Sequence, residues 1–137
     1  MPKLVQGVTI LEVKDIKRSE AFYREQLGFR PGLFFGEPPT FCIISRDSVT
    51  IFLDLARTPR PAPLNQYWAI YLYVDDVNRM AEELKARGVT IEREPEDQPY
   101  GCRDFDIRDP DGHVIGIGQN EQSVDGRLTL PYADQSK

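Results

Sequence analysis

The sequence predicts an α+β fold: two tandem βαβββ modules, each a curved mixed sheet with a helix on its outer face. Three observations lead to this reading. First, the opening of one module returns later in the chain. Val13-Lys14-Asp15-Ile16-Lys17-Arg18 recurs as Val74-Asp75-Asp76-Val77-Asn78-Arg79, each time after an apolar strand-like run and before an amphipathic stretch. Second, each amphipathic stretch runs to a glycine, Gly28 and Gly88. Third, further strand-like runs follow each glycine, separated by turn residues. A chain of 137 residues is most simply one domain, 1–137, and is long enough to bury a real core.

The elements follow in order. Gln6 to Val13 reads as the first strand. Asp15 is suited to cap the free N–H groups at the start of the first helix, and Gly28 to its left-handed exit. That helix offers an irregular apolar face of Ile16, Ala21, Phe22 and Leu27, with Tyr23 beside it. Phe29 to Phe34, Thr40 to Ser45 and Val49 to Leu55 read as strands, the last two joined by the turn Arg46-Asp47-Ser48. These make a first module of about 4–57. The proline-rich stretch within 58–66 reads as a stiff linker. The second module, about 67–119, takes strands at Tyr67 to Val74, Thr90 to Arg93, Arg103 to Arg108 and Val114 to Gln119. Its helix begins at the Asp75/Asp76 pair. Val77, Met80, Ala81 and Leu84 give it an i, i+3, i+4, i+7 face. The tail, 120–137, is polar and expected to be loose unless a partner subunit holds it.

The last hairpin is the most specific stretch. Gln98-Pro99-Tyr100-Gly101 is loop chemistry carrying an aromatic ring. Arg103 to Arg108 alternates around Phe105 and Ile107, the period of a half-buried strand. Asp109-Pro110-Asp111-Gly112 supplies Pro and Gly where a tight turn wants them. With the repeat, this arrangement resembles the glyoxalase/bleomycin-resistance/extradiol-dioxygenase superfamily, also called vicinal oxygen chelate proteins. The resemblance covers about residues 4 to 119. The wording of the last hairpin is closest to the bleomycin-resistance-like branch.

The resemblance implies a divalent ion in the metal-dependent members, held by His or Glu from the first and last strands of each module. Strand alternation leaves Val8, Ile10 and Glu12, then Thr50, Phe52 and Asp54, for the pocket side of the first module. In the second it leaves Ala69, Tyr71 and Tyr73, then Val114, Gly116 and Gly118. The family's ligand positions fall on Val8, Phe52 (Asp54 with a two-residue slip), Ala69 and Gly116. Valine, alanine and glycine side chains cannot coordinate a metal, so no metal and no other cofactor is expected. His113, the one histidine, reads as an exposed or half-exposed residue at a strand start. Ser45, Ser48, Cys42 and Cys102 lack an activating neighbour at any motif spacing.

The expected ligand site is aromatic: Tyr100, Phe34, Phe35, Phe52, Trp68, Tyr71 and Tyr73, with Asp54 for charge and Gly116 for space. By the resemblance, the loop of Tyr100 carries the ring that stacks on a planar drug. Glu12, Glu37, Asp104 and Asp106 offer further negative charge. The function expected is a metal-free binding protein, not an enzyme, that sequesters a small, planar, cationic molecule as bleomycin-resistance proteins do. The resemblance also implies a homodimer with crevices at its interface. Two alternatives stay open. One is a metal-dependent glyoxalase- or dioxygenase-type enzyme using Asp54, Glu12, His113 or a partner chain in an unusual ligand set. The other is a non-catalytic protein-interaction module. A net charge of −5 argues against nucleic acid as partner. The absence of a long apolar run argues against a membrane span. Two distant cysteines suit reduced thiols in a cytoplasm.

Overall fold

Alternation along β1 (Thr9–Val13) buries Leu11 and Val13 and turns Ile10 and Glu12 outward. The same alternation sets the rest of the first sheet in the computed structural model, which describes residues 1–57 and 67–131. The chain divides into two compact units, Met1–Ala69 with Asp109–His113, and Ile70–Arg108 with Val114–Lys137. In the first sheet β1 pairs in parallel with β4 (Val49–Leu55). β4 pairs antiparallel with β3 (Phe41–Arg46), and β3 with β2 (Leu33–Phe35), giving the order β1-β4-β3-β2. A parallel pair needs a crossover, and α1 (Ile16–Glu25) with the two following strands supplies it. Leu11, Val13, Cys42, Ile44, Ile51 and Leu53 are buried on the helix side.

The buried stripe of α1 is Ile16, Ser19, Glu20 and Tyr23, continued by Leu27. This corrects the expected apolar face, because Ala21 and Phe22 are only half-buried. The spacing is that of a helix, but two members are polar and need partners. Glu20 accepts from Arg24 Nε at 3.0 Å and from the Gly32 N–H at 2.9 Å. Asp15 caps the start by accepting from the Arg18 N–H, as expected. Gly28 takes φ 72° and lets Phe29 N–H reach back to the Tyr23 carbonyl at 2.9 Å. That exit consumes residues 29–32, so β2 starts at Leu33 rather than at Phe29. A methyl group on Gly32 would lie 2.4 Å from the Cys42 sulfur, which excludes a side chain there.

The turn Asp109–His113 belongs to this first unit. Asp109 accepts from Tyr23 Oη at 2.9 Å and from the N–H groups of Asp111 and His113, each at 2.9 Å. Asp111 accepts from the Lys14 N–H at 2.9 Å and from Ser19 Oγ at 3.1 Å, so it satisfies the second polar member of the α1 stripe. His113 is 7% exposed, which overturns its reading as an exposed strand-start residue. Its Nε2 lies 2.8 Å from the Glu12 carbonyl oxygen, which only accepts, so the ring carries its proton there. Burial lifts the Asp109 carboxyl above its ordinary value, although His113 and the bonds it receives pull the other way.

The second sheet takes the order β5-β8-β7-β6, the same pattern as the first. Its strands are β5 (Trp68–Tyr73), β6 (Arg93–Asp97), β7 (Cys102–Arg108) and β8 (Val114–Asn120). α2 (Val77–Ala86) buries Val77, Ala81 and Leu84 and packs on β6, β7 and β8. Phe105, Ile107, Ile115 and Ile117 are buried in the same unit. Asp76 caps α2 by accepting from Arg79 N–H, and Gln119 Oε1 accepts from Val77 N–H at 3.0 Å. β6 begins three residues later than the expected start at Thr90 and contains Pro95. Pro95 sits where the register shifts between Arg93 and Glu96, on an edge strand where a missing donor costs little. After β8 the chain is also tied down. Asn120 N–H bonds the Gly126 carbonyl at 2.8 Å, and Glu121 N–H bonds that of Gly101 at 3.1 Å. Gly126 is buried at φ 80°, and a Cβ there would lie 1.9 Å from the Val74 carbonyl oxygen. The expectation of a loose tail therefore fails for 120–126. The linker 58–66 and residues 132–137 lie outside the described residues.

Candidate functional site

Each sheet has one face turned away from its helix, and strand register decides what stands on it. In the first unit Ile10 opposes Phe52, and Glu12 opposes Asp54. Phe52 opposes Ile43 across β3, Asp54 opposes Phe41, and Phe41 opposes Phe35. The rings of Phe41 and Phe52 meet edge to face at 5.1 Å, and Phe35 lies 6.0 Å from Phe41. The face thus joins a chain of three aromatic rings to two carboxylates side by side. Phe34 is in register with Cys42, so it stands on the opposite side from Phe35. Its exposure comes from its place on the edge strand.

In the second unit the open face centres on Asp104, which is 0% exposed. Asp104 Oδ2 accepts from Tyr71 Oη at 2.9 Å and from Tyr100 Oη at 2.5 Å. Oδ1 accepts from Arg93 Nη2 at 2.6 Å and from Gln98 Nε2 at 3.2 Å. A carboxylate has about four acceptor sites, so this one is saturated. Arg93 also donates from Nε to Asp106 Oδ2 at 3.0 Å and from Nη1 to the Asp104 carbonyl at 3.2 Å. Burial works against the charge of Arg93, but its bonds to Asp106 and Asp104 outweigh that and hold it firmly protonated. Tyr71 and Tyr73 rings meet at 5.0 Å. Gly118 opposes Asp104, and a Cβ at 118 would fall 1.9 Å from the Tyr71 hydroxyl oxygen. The bare glycine is what lets Tyr71 reach Asp104. Gly116 is buried opposite Asp106.

Of the residues singled out in the sequence, Phe35, Phe52 and Asp54 share the first open face. Tyr71, Tyr73, Tyr100 and Gly116 belong to the second unit, and Trp68 lies at the start of β5, 43% exposed. Asp104 and Asp106 are tied to Arg93, while Glu12 and Asp54 stand in register with each other beside the Phe41 and Phe52 rings. Sequence reasoning missed Arg93 and Gln98 as parts of a site. The signal was faint: alternation in Asp104-Phe105-Asp106-Ile107 puts both acids on one face, where a cation must answer them. The family's metal does not fit these residues. Val8, Ala69 and Gly116 bring no donor atom, and among the described residues no three His, Cys, Asp or Glu side chains gather. Neither is Cys42 an activated nucleophile: burial, helped by Glu20, pushes its thiol up to about 11.

The hydroxyls give the molecule an expected response to alkali. Burial, then the charge of Asp109, hold the Tyr23 hydroxyl well above its ordinary value. Burial, then the bonds to Asp104, raise Tyr71 and Tyr100. A raised folded-state pKa keeps its stabilisation below the unfolded value, about 10 for tyrosine, and loses it as pH rises beyond. Above that pH the unfolded chain releases protons that the folded chain retains. Tyr23, fully buried, contributes a slope of up to about 1.4 kcal/mol per pH unit. Urea midpoints measured up to about pH 11 should therefore fall past about pH 10, and Tyr23→Phe should flatten the fall. A midpoint independent of pH over that range would refute the assignment.

The two-module architecture and the donor-poor faces can be set beside known proteins. Residues 6–117 match the model of the Glyoxalase/Bleomycin resistance protein/Dioxygenase superfamily. The uncharacterized protein YraH of Bacillus subtilis is 25% identical over 117 residues, which span 78% of this chain and 91% of YraH. The crystal structure of a bleomycin resistance determinant encoded on transposon Tn5 superposes with a TM-score of 0.70 at 25% identity, covering 86% of this chain and 99% of that one. That of TnmS3, an antibiotic binding protein from a Streptomyces species, gives 0.65 at 26% identity, covering 87% and 99%. A repeated strand-helix-strand-strand-strand unit matched along nearly its whole folded length makes this chain a member of the glyoxalase/bleomycin resistance protein/dioxygenase superfamily.

Proposed function

We propose that the protein binds and sequesters a small, planar, cationic molecule without transforming it, in the manner of the bleomycin-resistance-like branch. The observation that carries this reading is the make-up of the open sheet faces. Aromatic rings stand beside the paired carboxylates of Glu12 and Asp54, while the family's metal-ligand positions hold Val8, Phe52, Ala69 and Gly116. Rings take a flat heterocycle by stacking, and carboxylates take its positive charge. The proposed ligand-facing residues are Phe35, Phe52 and Asp54 on the open face of the first unit, and Tyr71, Tyr73, Tyr100 and Gly116 on that of the second, with Trp68 at the start of β5. Two relatives of similar fold are a bleomycin resistance determinant and an antibiotic binding protein, which supports the ligand class. The protein acts as a homodimer in this reading, since Ile10, Leu33 and Phe35 leave apolar surface uncovered. Buried, unpaired Cys42 and Cys102 suit a reducing cytoplasm. No helix among the described residues is long and apolar enough to cross a membrane.

Calorimetric titration with metal-free bleomycin and with proflavine, a planar cationic dye, tests the proposal, with light scattering on the same sample. Saturable binding of one or both by a protein of dimer mass is expected. No heat with either probe, together with near-stoichiometric zinc, nickel, manganese or iron after mild chelation, would favour the metal-dependent enzyme instead.

A further inference from the structure

We propose that Asp104 is a positioning residue, which fixes the ring of Tyr100 for stacking before any ligand arrives. The proposal rests on the binding function above but on a different set of atoms. Tyr100 stands on a loop and is 53% exposed, and a half-exposed ring on a loop ordinarily samples several rotamers. Here its hydroxyl is held at 2.5 Å by a carboxylate that has no exposure at all. The carboxylate is itself immobile. Arg93 fixes Oδ1 at 2.6 Å while its own Nε is bound to Asp106, and Gln98, two residues before Tyr100, adds a bond at 3.2 Å. The loop's backbone is pinned on both sides: Gln98 N–H bonds the Cys102 carbonyl at 2.7 Å, and the Gly101 carbonyl receives Glu121 N–H. The ring's hydroxyl is therefore tied to one buried anion, and the loop that carries the ring is held by backbone bonds on both sides.

The chemistry of the hub explains its composition. A buried carboxylate is costly unless its charge is answered and its lone pairs are filled. Arg93 supplies the countercharge, while Tyr71 and Tyr100 fill Oδ2 with neutral donors. Each tyrosine has one hydroxyl proton, and both point inward. The hub thus presents aromatic ring faces to its surroundings rather than a naked anion. The role it gives Asp104 is to orient, and the negative charge that meets a ligand comes from elsewhere. An ordered ring loses little rotamer freedom on binding, so its contribution to affinity is larger than that of the same ring left free.

The test is a double-mutant cycle on the full-length protein, using Tyr100→Phe, Asp104→Asn and the double variant, with proflavine as the probe. Tyr100→Phe keeps the ring and removes only the tether. It should weaken binding roughly three- to tenfold, the range for freeing one side chain, with an unchanged melting temperature. Asp104→Asn should weaken it by a similar factor, and the double variant should bind no worse than the weaker single variant. Additive losses would show that the two residues act separately, and an unaltered affinity in Tyr100→Phe would show that the tether positions nothing. Either result overturns the proposal. A second measurement needs no ligand, so it separates this idea from the functional reading. Tyrosinate absorbance at 295 nm should show two groups titrating at lower pH in Asp104→Asn than in the wild type, because Tyr71 and Tyr100 keep their burial but lose the anion that adds to it in holding their protons. An unchanged titration overturns the tether even if proflavine binds. A changed titration with no binding by the wild type sinks the binding function and leaves the tether standing.

Discussion

Asp109→Ala is expected to lower the free energy of unfolding by about 3–4 kcal/mol. The carboxylate accepts three bonds, from the Tyr23 hydroxyl and from two backbone N–H groups of its own turn. Alanine would leave all three donors without a partner, and Tyr23 is fully buried on the inner face of α1. Each orphaned buried donor costs on the order of 1–3 kcal/mol, reduced where water enters the gap. Asp109→Asn keeps one acceptor oxygen of similar shape and should cost less than half as much. Urea denaturation at neutral pH measures both. A loss below about 1 kcal/mol for the alanine variant would mean that the turn is held by its backbone alone.

Tyr100→Ala is expected to weaken binding of a planar cation by roughly 1–3 kcal/mol, the order found for stacking on flat heterocycles. Folding should change by about 1 kcal/mol or less, because the ring is half-exposed and Asp104 keeps its bonds from Tyr71, Arg93 and Gln98. Tyr100→Trp retains a broad face without the hydroxyl and should recover only part of the loss. Calorimetry with proflavine ranks the three proteins. Equal affinity in the wild type and Tyr100→Ala would remove the stacking role. A large drop in melting temperature without ligand would instead make the ring a plug that fills a structural gap.

Local chemistry made much of this fold legible. Asp15 and Asp76 announce their helices because a carboxylate before an amphipathic run has little else to bond, and Gly28 and Gly88 close them through positive φ. The strands that alternate cleanly, such as Val49–Leu55 and Cys102–Arg108, stand close to where the pattern put them. What was hidden depends on partners far away in the chain. Ser19 looks like a solvated position until Asp111 arrives from 92 residues on. His113 looks exposed until the Glu12 carbonyl, 101 residues back, receives its ring. Arg93 sits in a run of acids and prolines that reads as surface. Only its pairing across two strands reveals an anchor for Asp104 and Asp106. The aromatic members of the candidate site were visible one by one. Their division between two sheets, and the displacement of Phe34 to the far side, were set by register, which periodicity alone does not specify.

The turn Asp109–His113 also bears on how the molecule comes into being. The first unit is discontinuous in the chain, since it takes five residues from beyond the second helix. During synthesis the strands and helix of residues 1–57 emerge early. The polar groups of α1 must then wait in water for Asp109, Asp111 and His113 to leave the ribosome. The first half therefore cannot reach its final form while the second is still being made, and a fragment cut between the modules would never do so. Completion of the first unit is thus delayed until the turn Asp109–His113, which follows most of the second, has been translated.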